Sequence, residues 1–345
     1  MALATLRQIL DHAAEHGYGV PAFNVTNLET LLAVVRAADR ADSPVIVQAS
    51  QSARKFADDI LLKGMVAAAA ERYPSIPICF HQDHGSSVEV CKRAIELGFT
   101  SVMMDGSLEA DGMTPASYEY NVQVTAETVR LAHAKGVSVE GEIGVLGSLE
   151  TGGGEQEDGH GVVGTLEREA LLTDPDQAVQ FVAATGVDAL AVAIGTSHGN
   201  YKFSRKPTGE LLAMDVIAKI NARLPTTHLV MHGASTVPAE LQELINQNGG
   251  AIATTYGVPL EEVEKSIRMG VRKINIDTDL RMALTGSARE YLTANPSSID
   301  IRGMMKSALS RMENLCVERF ERFGSAGHAS KIQVLPLCRM ADYYR

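Results

Sequence analysis

Eight short β-rich runs alternate with longer runs of helical period, and a polar residue stands at or just past the C-terminal end of each β-rich run. These two observations predict an α/β protein, a (β/α)8 barrel of the TIM type, with a long loop after strand five and extra C-terminal helices. A third is the lack of any composition break over 345 residues, a length that such barrels reach as one domain with insertions. The strand-end residues are Asn24, Ser50, Asp83, Asp105, Glu142, His198, His232 and Asn275. A barrel brings those ends together on the face that carries the active site, which favours it over an open doubly wound sheet. The expected organisation is one domain over 1–345, with a mobile active-site loop at 144–173 and a C-terminal extension at 296–345.

The first strand is GVPAFNV (19–25). Thr26-Asn27-Leu28-Glu29 then reads as a capping box, which satisfies free N–H groups at a helix start, and Leu28, Leu31, Leu32 and Val35 follow at helical spacing. PVIVQAS (44–50) is second, before a helix at 58–73. IPICFHQDH (76–84) is third, before a helix at 87–97, with Gly85 letting the chain turn away. SVMMDGS (101–107) is fourth, before a long helix at about 115–135, and SVEGEIG (138–144) is fifth. After the loop, Asp174-Pro175-Asp176-Gln177 opens a helix with a cap and an N1 proline. DALAVAIG (188–195), THLVMHG (227–233) and RKINIDT (272–278) are the last three strands. Helix patterns at 213–223, 238–247 and 259–269 lie among them, and two more, near 280–294 and 302–323, precede the tail.

Composition removes several classes of function. The chain is 45% hydrophobic and 21% charged with mean hydropathy near zero, as a globular protein with a sizeable core should be. No run of about 18 apolar residues offers a membrane span, and MALATLRQILDHAAEHG is broken by Arg7, Asp11 and His12 where a signal peptide needs an apolar block. Cys79, Cys91, Cys316 and Cys338 are far apart, so neither a disulfide framework nor a thiolate zinc site is expected, and a reducing cytoplasm is. A net charge of −11 without a basic block argues against nucleic acid as partner. It leaves room for a small anionic substrate in a locally positive pocket.

His84, His198 and His232 each follow an apolar strand, in units three, six and seven. At convergent strand ends they read as a three-histidine metal site with an open coordination position, suited to Zn²⁺, with Fe, Co or Mn compatible by ligand type. His81, one strand period before Asp83, is expected to support the site. Asp83 adjoins a ligand, where a general acid/base must stand to exchange a proton with a metal-polarised substrate. Asp105 ends strand four, and Glu140 and Glu142 share a face of strand five, so a second divalent position near Asp105 and Glu142 competes with a salt-bridged interior. The insertion LGSLETGGGEQEDGHGVVG has no helix following at once and carries acids that would repel a pyrophosphate, so it is not a dinucleotide fingerprint. It reads as a surface loop or as a lid bringing a carboxylate to the substrate. GTSHGNYKF, HGAST and NIDTDL follow strands six to eight, where barrels bind phosphate, with Ser235, Thr278 and Lys202 as polar and charged groups.

PAFNV, VIVQAS, HQDHG, SVMMDGS, SVEGEIG, TGGGEQEDG, GTSHGNYK, MHGAS and KINIDTD, in this order over nearly the whole chain, resemble the class II, metal-dependent fructose-1,6-bisphosphate aldolases. HASKIQVLP and DALAVAIGTSHGNYKFSRKPTG resemble the subgroup found in Calvin-cycle and related bacterial enzymes. The resemblance implies that His84, His198 and His232 hold a catalytic Zn²⁺, that Asp83 is the acid/base at the aldehyde oxygen, and that Glu157 exchanges the carbon-bound proton. Glu157 matches the Glu of a Gly-Gly-x-Glu-Asp pattern, and the extra residue here leaves Glu155 as a substitute. Asp105 and Glu142 match an alternative metal position. Gly199, Gly233, Ser235, Asp277 and Thr278, with Lys202 beside them, match the phosphate region and a monovalent cation (K⁺ or Na⁺). Asn24, Ser50 and Asn275 match groups contacting the triose or bisphosphate. The family's Asp-Pro-Arg, whose arginine reaches a neighbouring subunit's second phosphate, is here Asp300-Ile301-Arg302, which makes Arg302 the candidate.

The implied reaction is reversible cleavage of fructose 1,6-bisphosphate to dihydroxyacetone phosphate and glyceraldehyde 3-phosphate, in glycolysis, gluconeogenesis or the Calvin cycle, by a cytoplasmic homo-oligomer, a dimer or tetramer. A Schiff-base aldolase needs a lysine in the pocket, yet Lys273 lies early in strand eight. A metal-dependent barrel hydrolase is weakened by the absence of a His-x-His pair after strand one, and a non-catalytic sugar-phosphate-binding barrel would not need His198. Tagatose 1,6-bisphosphate or a related ketose bisphosphate is the alternative substrate.

Overall fold

The computed structural model describes residues 3–111, 113–147, 171–196, 203 and 212–345. Eight parallel strands close into a barrel: β2 (Val20–Asn24), β3 (Val45–Ala49), β4 (Ile78–Gly85), β5 (Ser101–Met104), β6 (Ser138–Ile143), β7 (Ala189–Val192), β8 (His228–Met231) and β9 (Val271–Ile276). Each pairs with its sequence neighbours, β2 also pairs with β9, and the β4–β5 pairing completes the ring. A two-residue strand, β1 (Leu3–Ala4), adds to the early edge of β4, pairing Leu3 with Ile78 and Ala4 with Cys79. The eight expected strands are present, mostly shorter, with β4 reaching one residue further at its end and β9 beginning one residue earlier, and β1 is an addition to them.

Helix α1 (Leu6–His16) follows β1. Thr5 caps it by accepting from the Gln8 N–H, and Gly17 ends it in the left-handed region at φ 73°. Its buried residues Leu6, Ile9, Leu10 and Ala13 recur at helical spacing and meet Val20, Ala22, Ile46, Cys79, Met103, Ala189, Ala191 and Val230 in one apolar cluster. Those strand residues alternate along their strands, so they are the inward-facing ones. The helix therefore plugs the N-terminal end of the barrel. The larger core lies between the strands' outward faces and the surrounding helices.

Around the barrel run α2 (Leu28–Ala41), α3 (Gln51–Ala57), α4 (Asp59–Arg72), α5 (Val88–Leu97), α6 (Tyr118–His133), α7 (Pro175–Thr185), α8 (Met214–Arg223), α9 (Ala239–Gln247), α10 (Leu260–Arg268), α11 (Thr278–Ala294), α12 (Ile301–Arg322) and α13 (Leu337–Tyr343). At the start of α2 the capping box is formed by Asn27 and Thr30, not by Thr26 and Glu29: the Asn27 side chain accepts from the Thr30 N–H while Thr30 Oγ1 accepts from the Asn27 N–H. Leu28, counted above with the apolar face, is 47% exposed. The segment 58–73 expected as one helix is preceded by α3, because Asp58 at φ 68° breaks the path and caps α4. Helix α12 packs on α2 and α11. Among the described residues no helix is long and apolar enough to cross a membrane.

Candidate active site at the C-terminal mouth of the barrel

The period of two along a strand sorts the inward-facing residues into layers. Above the apolar layer lie His81, Glu140 and Lys273, all fully buried. Above them, at the mouth, come Gln48, Asp83, Asp105, Glu142, His232 and Asn275, all buried, and the half-buried Asn24. Strand β4 departs from strict alternation. Between the pairs Gln82–Val102 and Gly85–Met104 it takes one more step than β5, and the additional residue forms a bulge with His84 at φ 46°. The turn in the chain thus falls on His84 rather than on Gly85. Glycine is still required at 85, because a Cβ there would stand 2.6 Å from both Cys91 Sγ and the Met103 carbonyl oxygen.

The bulge brings Asp83 and His84 to the site together. His84 Nε2 lies 3.0 Å from His232 Nδ1. Two imidazole nitrogens on one tetrahedral Zn²⁺ at about 2.0–2.1 Å are separated by about 3.3 Å, so the pair fits a shared divalent cation. The opposite ring nitrogens are both engaged: His84 Nδ1 is 3.0 Å from Asp105 Oδ2, and His232 Nε2 is 2.8 Å from Glu140 Oε1. Carboxylate partners of this kind set the tautomer and aim of metal-binding histidines. Ligand atoms of Asp83, His84 and His232 fall within 4.8 Å of one another, as do those of His84, Asp105 and Glu142. Burial opposes charge on His84, yet Asp83, Asp105 and Glu142 around it hold its imidazole well above the ordinary range. A pocket with that field attracts a cation. His198, the third expected ligand, and Glu157, Gly199 and Lys202 lie outside the described residues.

Asp83 is gripped by three amides from three strands. Asn24 Nδ2 and Gln48 Nε2 each donate to its Oδ2 at 3.0 Å, and Asn275 Nδ2 donates to its Oδ1 at 3.2 Å. Burial pushes its carboxyl up, but the charges of His84, Lys273, His232 and His81 outweigh that effect and leave it below the ordinary carboxylate range. Gln48 also donates to Asn24 Oδ1 at 2.6 Å. It was not among the expected site residues; its signal was an amide inside the apolar run VIVQA, since a buried amide needs partners. Arg54, buried over the Phe99 ring, donates to Gln82, whose own amide donates to the Asp83 carbonyl at 2.6 Å.

Below the mouth, Glu140 Oε2 lies 2.9 Å from Lys273 Nζ and 3.5 Å from His81 Nε2. Burial, aided by the Lys273 charge, pushes His81 down to about 3, so its imidazole is neutral, with Nδ1 2.8 Å from Ser101 Oγ. Lys273 is thus committed to an ion pair one layer under the site, not presented to a substrate.

Two loops flank the mouth. Gly233, at φ 61°, leads to Ser235 after β8, and Ser235 Oγ accepts from the Asp277 N–H at 3.2 Å. Asp277 is held by Arg281 at 2.6 Å, and Thr278, almost fully buried, begins α11. Ser50 caps α3 by accepting from the Ala53 N–H. Arg302 sits apart: its side chain is 88% exposed and forks Asp300 at 2.7–3.0 Å. Of the expected residues, Asn24, Asp83, His84, Asp105, Glu142, His232 and Asn275 gather at the mouth, Gly233, Ser235, Asp277 and Thr278 line its edge, and Arg302 does not approach it.

The model of the class-II fructose-bisphosphate aldolase family matches residues 4–328. A fructose-bisphosphate aldolase of Rhizobium meliloti is 60% identical over 344 residues, covering 100% of this chain and 96% of that one. One from Nostoc sp. is 61% identical over the same span and coverage. A class 2 fructose-bisphosphate aldolase of Synechocystis sp. is 58% identical, again over 100% and 96%. Among solved structures, the YdjI aldolase of Escherichia coli K12 aligns over 95% of this chain and 99% of its own, with a TM-score of 0.70 and 27% identity. The chain belongs to the class-II fructose-bisphosphate aldolase family.

Proposed function

We propose that the chain is a lyase that reversibly cleaves fructose 1,6-bisphosphate to dihydroxyacetone phosphate and glyceraldehyde 3-phosphate. The observation that carries this reading is the contact between His84 Nε2 and His232 Nδ1 beside an Asp83 carboxylate held at both oxygens. His84, His198 and His232 would hold a divalent cation, Zn²⁺ by ligand type, which supplies Lewis-acid polarisation of the ketone and stabilises negative charge on its oxygen. Asp83 takes the proton of the C4 hydroxyl in cleavage and returns it to the aldehyde oxygen in condensation. Asn24, Gln48 and Asn275 fix the angle from which it does so. Glu157 exchanges the carbon-bound proton of the triose half.

Gly233, Ser235, Asp277 and Thr278, with Gly199 and Lys202, bind phosphate and a monovalent cation, supported by the loops' place at the rim and by the start of α11 there. Ser50 and Asn275 contact the sugar chain. Asp105 and Glu142 offer a second divalent position within ligand distance of His84. Arg302 serves the second phosphate of a neighbouring subunit in a homo-oligomer, a dimer or tetramer. Its exposed place just after Ile299 and Ile301, 98% and 67% exposed, suits a surface that another copy covers. The reaction belongs to cytoplasmic sugar-phosphate metabolism.

Chelator-treated protein assayed with and without added Zn²⁺ tests the reading, with triose phosphates as the product measured. Loss of cleavage on chelation and its return with metal is expected. Activity that survives chelation and is lost to borohydride plus substrate would overturn it. Faster cleavage of tagatose 1,6-bisphosphate than of the fructose epimer would overturn the substrate alone.

A further inference from the structure

Directly after the His232–Ser235 loop, Val237 adopts φ 48° while 3% exposed. A β-branched residue in the left-handed region is an outlier, and Pro238 after it restricts the backbone further. Such a conformation persists where its surroundings over-determine it. Here Asp279, fully buried in the first turn of α11, accepts from the Val237 N–H at 2.9 Å through Oδ1. Through Oδ2 it accepts from the Thr236 N–H at 3.1 Å and Thr236 Oγ1 at 3.0 Å. Arg319 of α12, 2% exposed, closes the ring by donating from Nη2 to Asp279 Oδ2 at 3.2 Å and to Thr236 Oγ1 at 2.9 Å.

The clamp joins three parts of the chain. Thr236 and Val237 continue the loop bearing Gly233 and Ser235, Asp279 lies one residue beyond Thr278, and Arg319 belongs to α12. The Thr236 hydroxyl is its centre, donating to Asp279 and accepting from Arg319, so both of its bonds are to charged groups. We infer that Arg319 and Asp279 are positioning residues: acting through Thr236, they set the spacing between the loops of Ser235 and Thr278 and thereby the affinity for a phosphate monoester. The inference rests on the phosphate-site reading given above. It predicts that α12 controls substrate affinity without touching the cation or Asp83.

Thr236→Val removes the hydroxyl and keeps the shape, leaving the Arg319–Asp279 pair in place. The expected result is a rise on the order of tenfold in KM for fructose 1,6-bisphosphate and in the inhibition constant of inorganic phosphate. Turnover at saturation and bound zinc should stay within about twofold, since no bond to Asp83 or the histidines is lost. Thr236→Ser, which restores the hydroxyl, should return both constants to the parent values. A turnover and zinc content that fall in step with the affinity would overturn the inference, because that is general structural damage. Ser235→Ala separates the inference from its premise. If Ser235→Ala weakens phosphate inhibition while Thr236→Val does not, the clamp does not position the site. If neither variant changes it, the phosphate-site reading falls and the inference with it.

Discussion

His84 and His232 meet through Nε2 and Nδ1 at 3.0 Å, and each rests its other ring nitrogen on a buried carboxylate, Asp105 and Glu140 respectively. On the proposed reading the first two nitrogens would hold the cation, and the two carboxylates would aim them. Substituting either histidine by Ala should abolish tight zinc binding. Asp105→Asn and Glu140→Gln should leave the ligands in place and weaken zinc by about 10–100-fold, read by competition with a chromogenic chelator. Equal affinity in the parent and in Glu140→Gln would show that His232 needs no such support.

On the proposed reading Asp83 transfers a proton and His84 and His232 hold the cation. Asp83→Ala should keep zinc near the parent stoichiometry and lower turnover by about 10²–10⁴-fold, the range for a lost general acid/base. Gln48→Ala removes one of the two amides on Oδ2 and should lower turnover by a smaller factor, again with zinc retained. Loss of metal in Asp83→Ala would instead assign this residue to the coordination shell.

Lys273 and Glu140 form an ion pair with no exposed surface on either side chain. Lys273→Met leaves Glu140 buried without that cation and should destabilise the fold by about 3–5 kcal/mol, seen as a lower midpoint in denaturant. Adding Glu140→Leu should recover most of that stability, because an apolar pair of similar volume needs no compensating charge. It should not recover zinc affinity, since His232 Nε2 then loses the Glu140 carboxylate. A double variant that binds zinc normally would separate Glu140 from the site.

How far the sequence could be read follows from which relationships are local. The eight strands show as short β-rich runs with polar residues at their ends, which is why the strand-end places of Asp83, His84, His232 and Asn275 were legible. The bulge in β4 was not: strict alternation would send His84 to the opposite face from Asp83, and only the additional residue against β5 brings both inward. Gln48, Glu140 and Lys273 sit inside apolar runs, where the pattern shows which face they share but not that they meet Asp83, His232 and one another across the barrel. The apolar spacing of α1 is equally plain, yet nothing local says that it closes the barrel's end instead of joining the outer ring. At α2, Asn27 and Thr30 outcompete the neighbouring Thr26 and Glu29 as the capping pair, a shift of one residue that side-chain reach decides.

Cys338 is the exposed thiol among four, and none of the four is in a disulfide. Burial pushes Cys79 and Cys91 up to about 12 and raises Cys316 as well, so at pH 8 they are neutral thiols without access to a reagent. While the fold holds, a reagent reaches Cys338 and leaves the other three unreacted. A disulfide reagent should therefore count one thiol in the native protein and four in denaturant. Cys316 lies on α12, three residues before Arg319, and packs fully buried against the barrel's helices. Its labelling in a mild concentration of urea reports undocking of α12, and Arg319→Met should bring that event to a lower urea concentration than global unfolding. Simultaneous labelling of Cys79, Cys91 and Cys316 in that variant would instead mean that α12 and the barrel open as one unit.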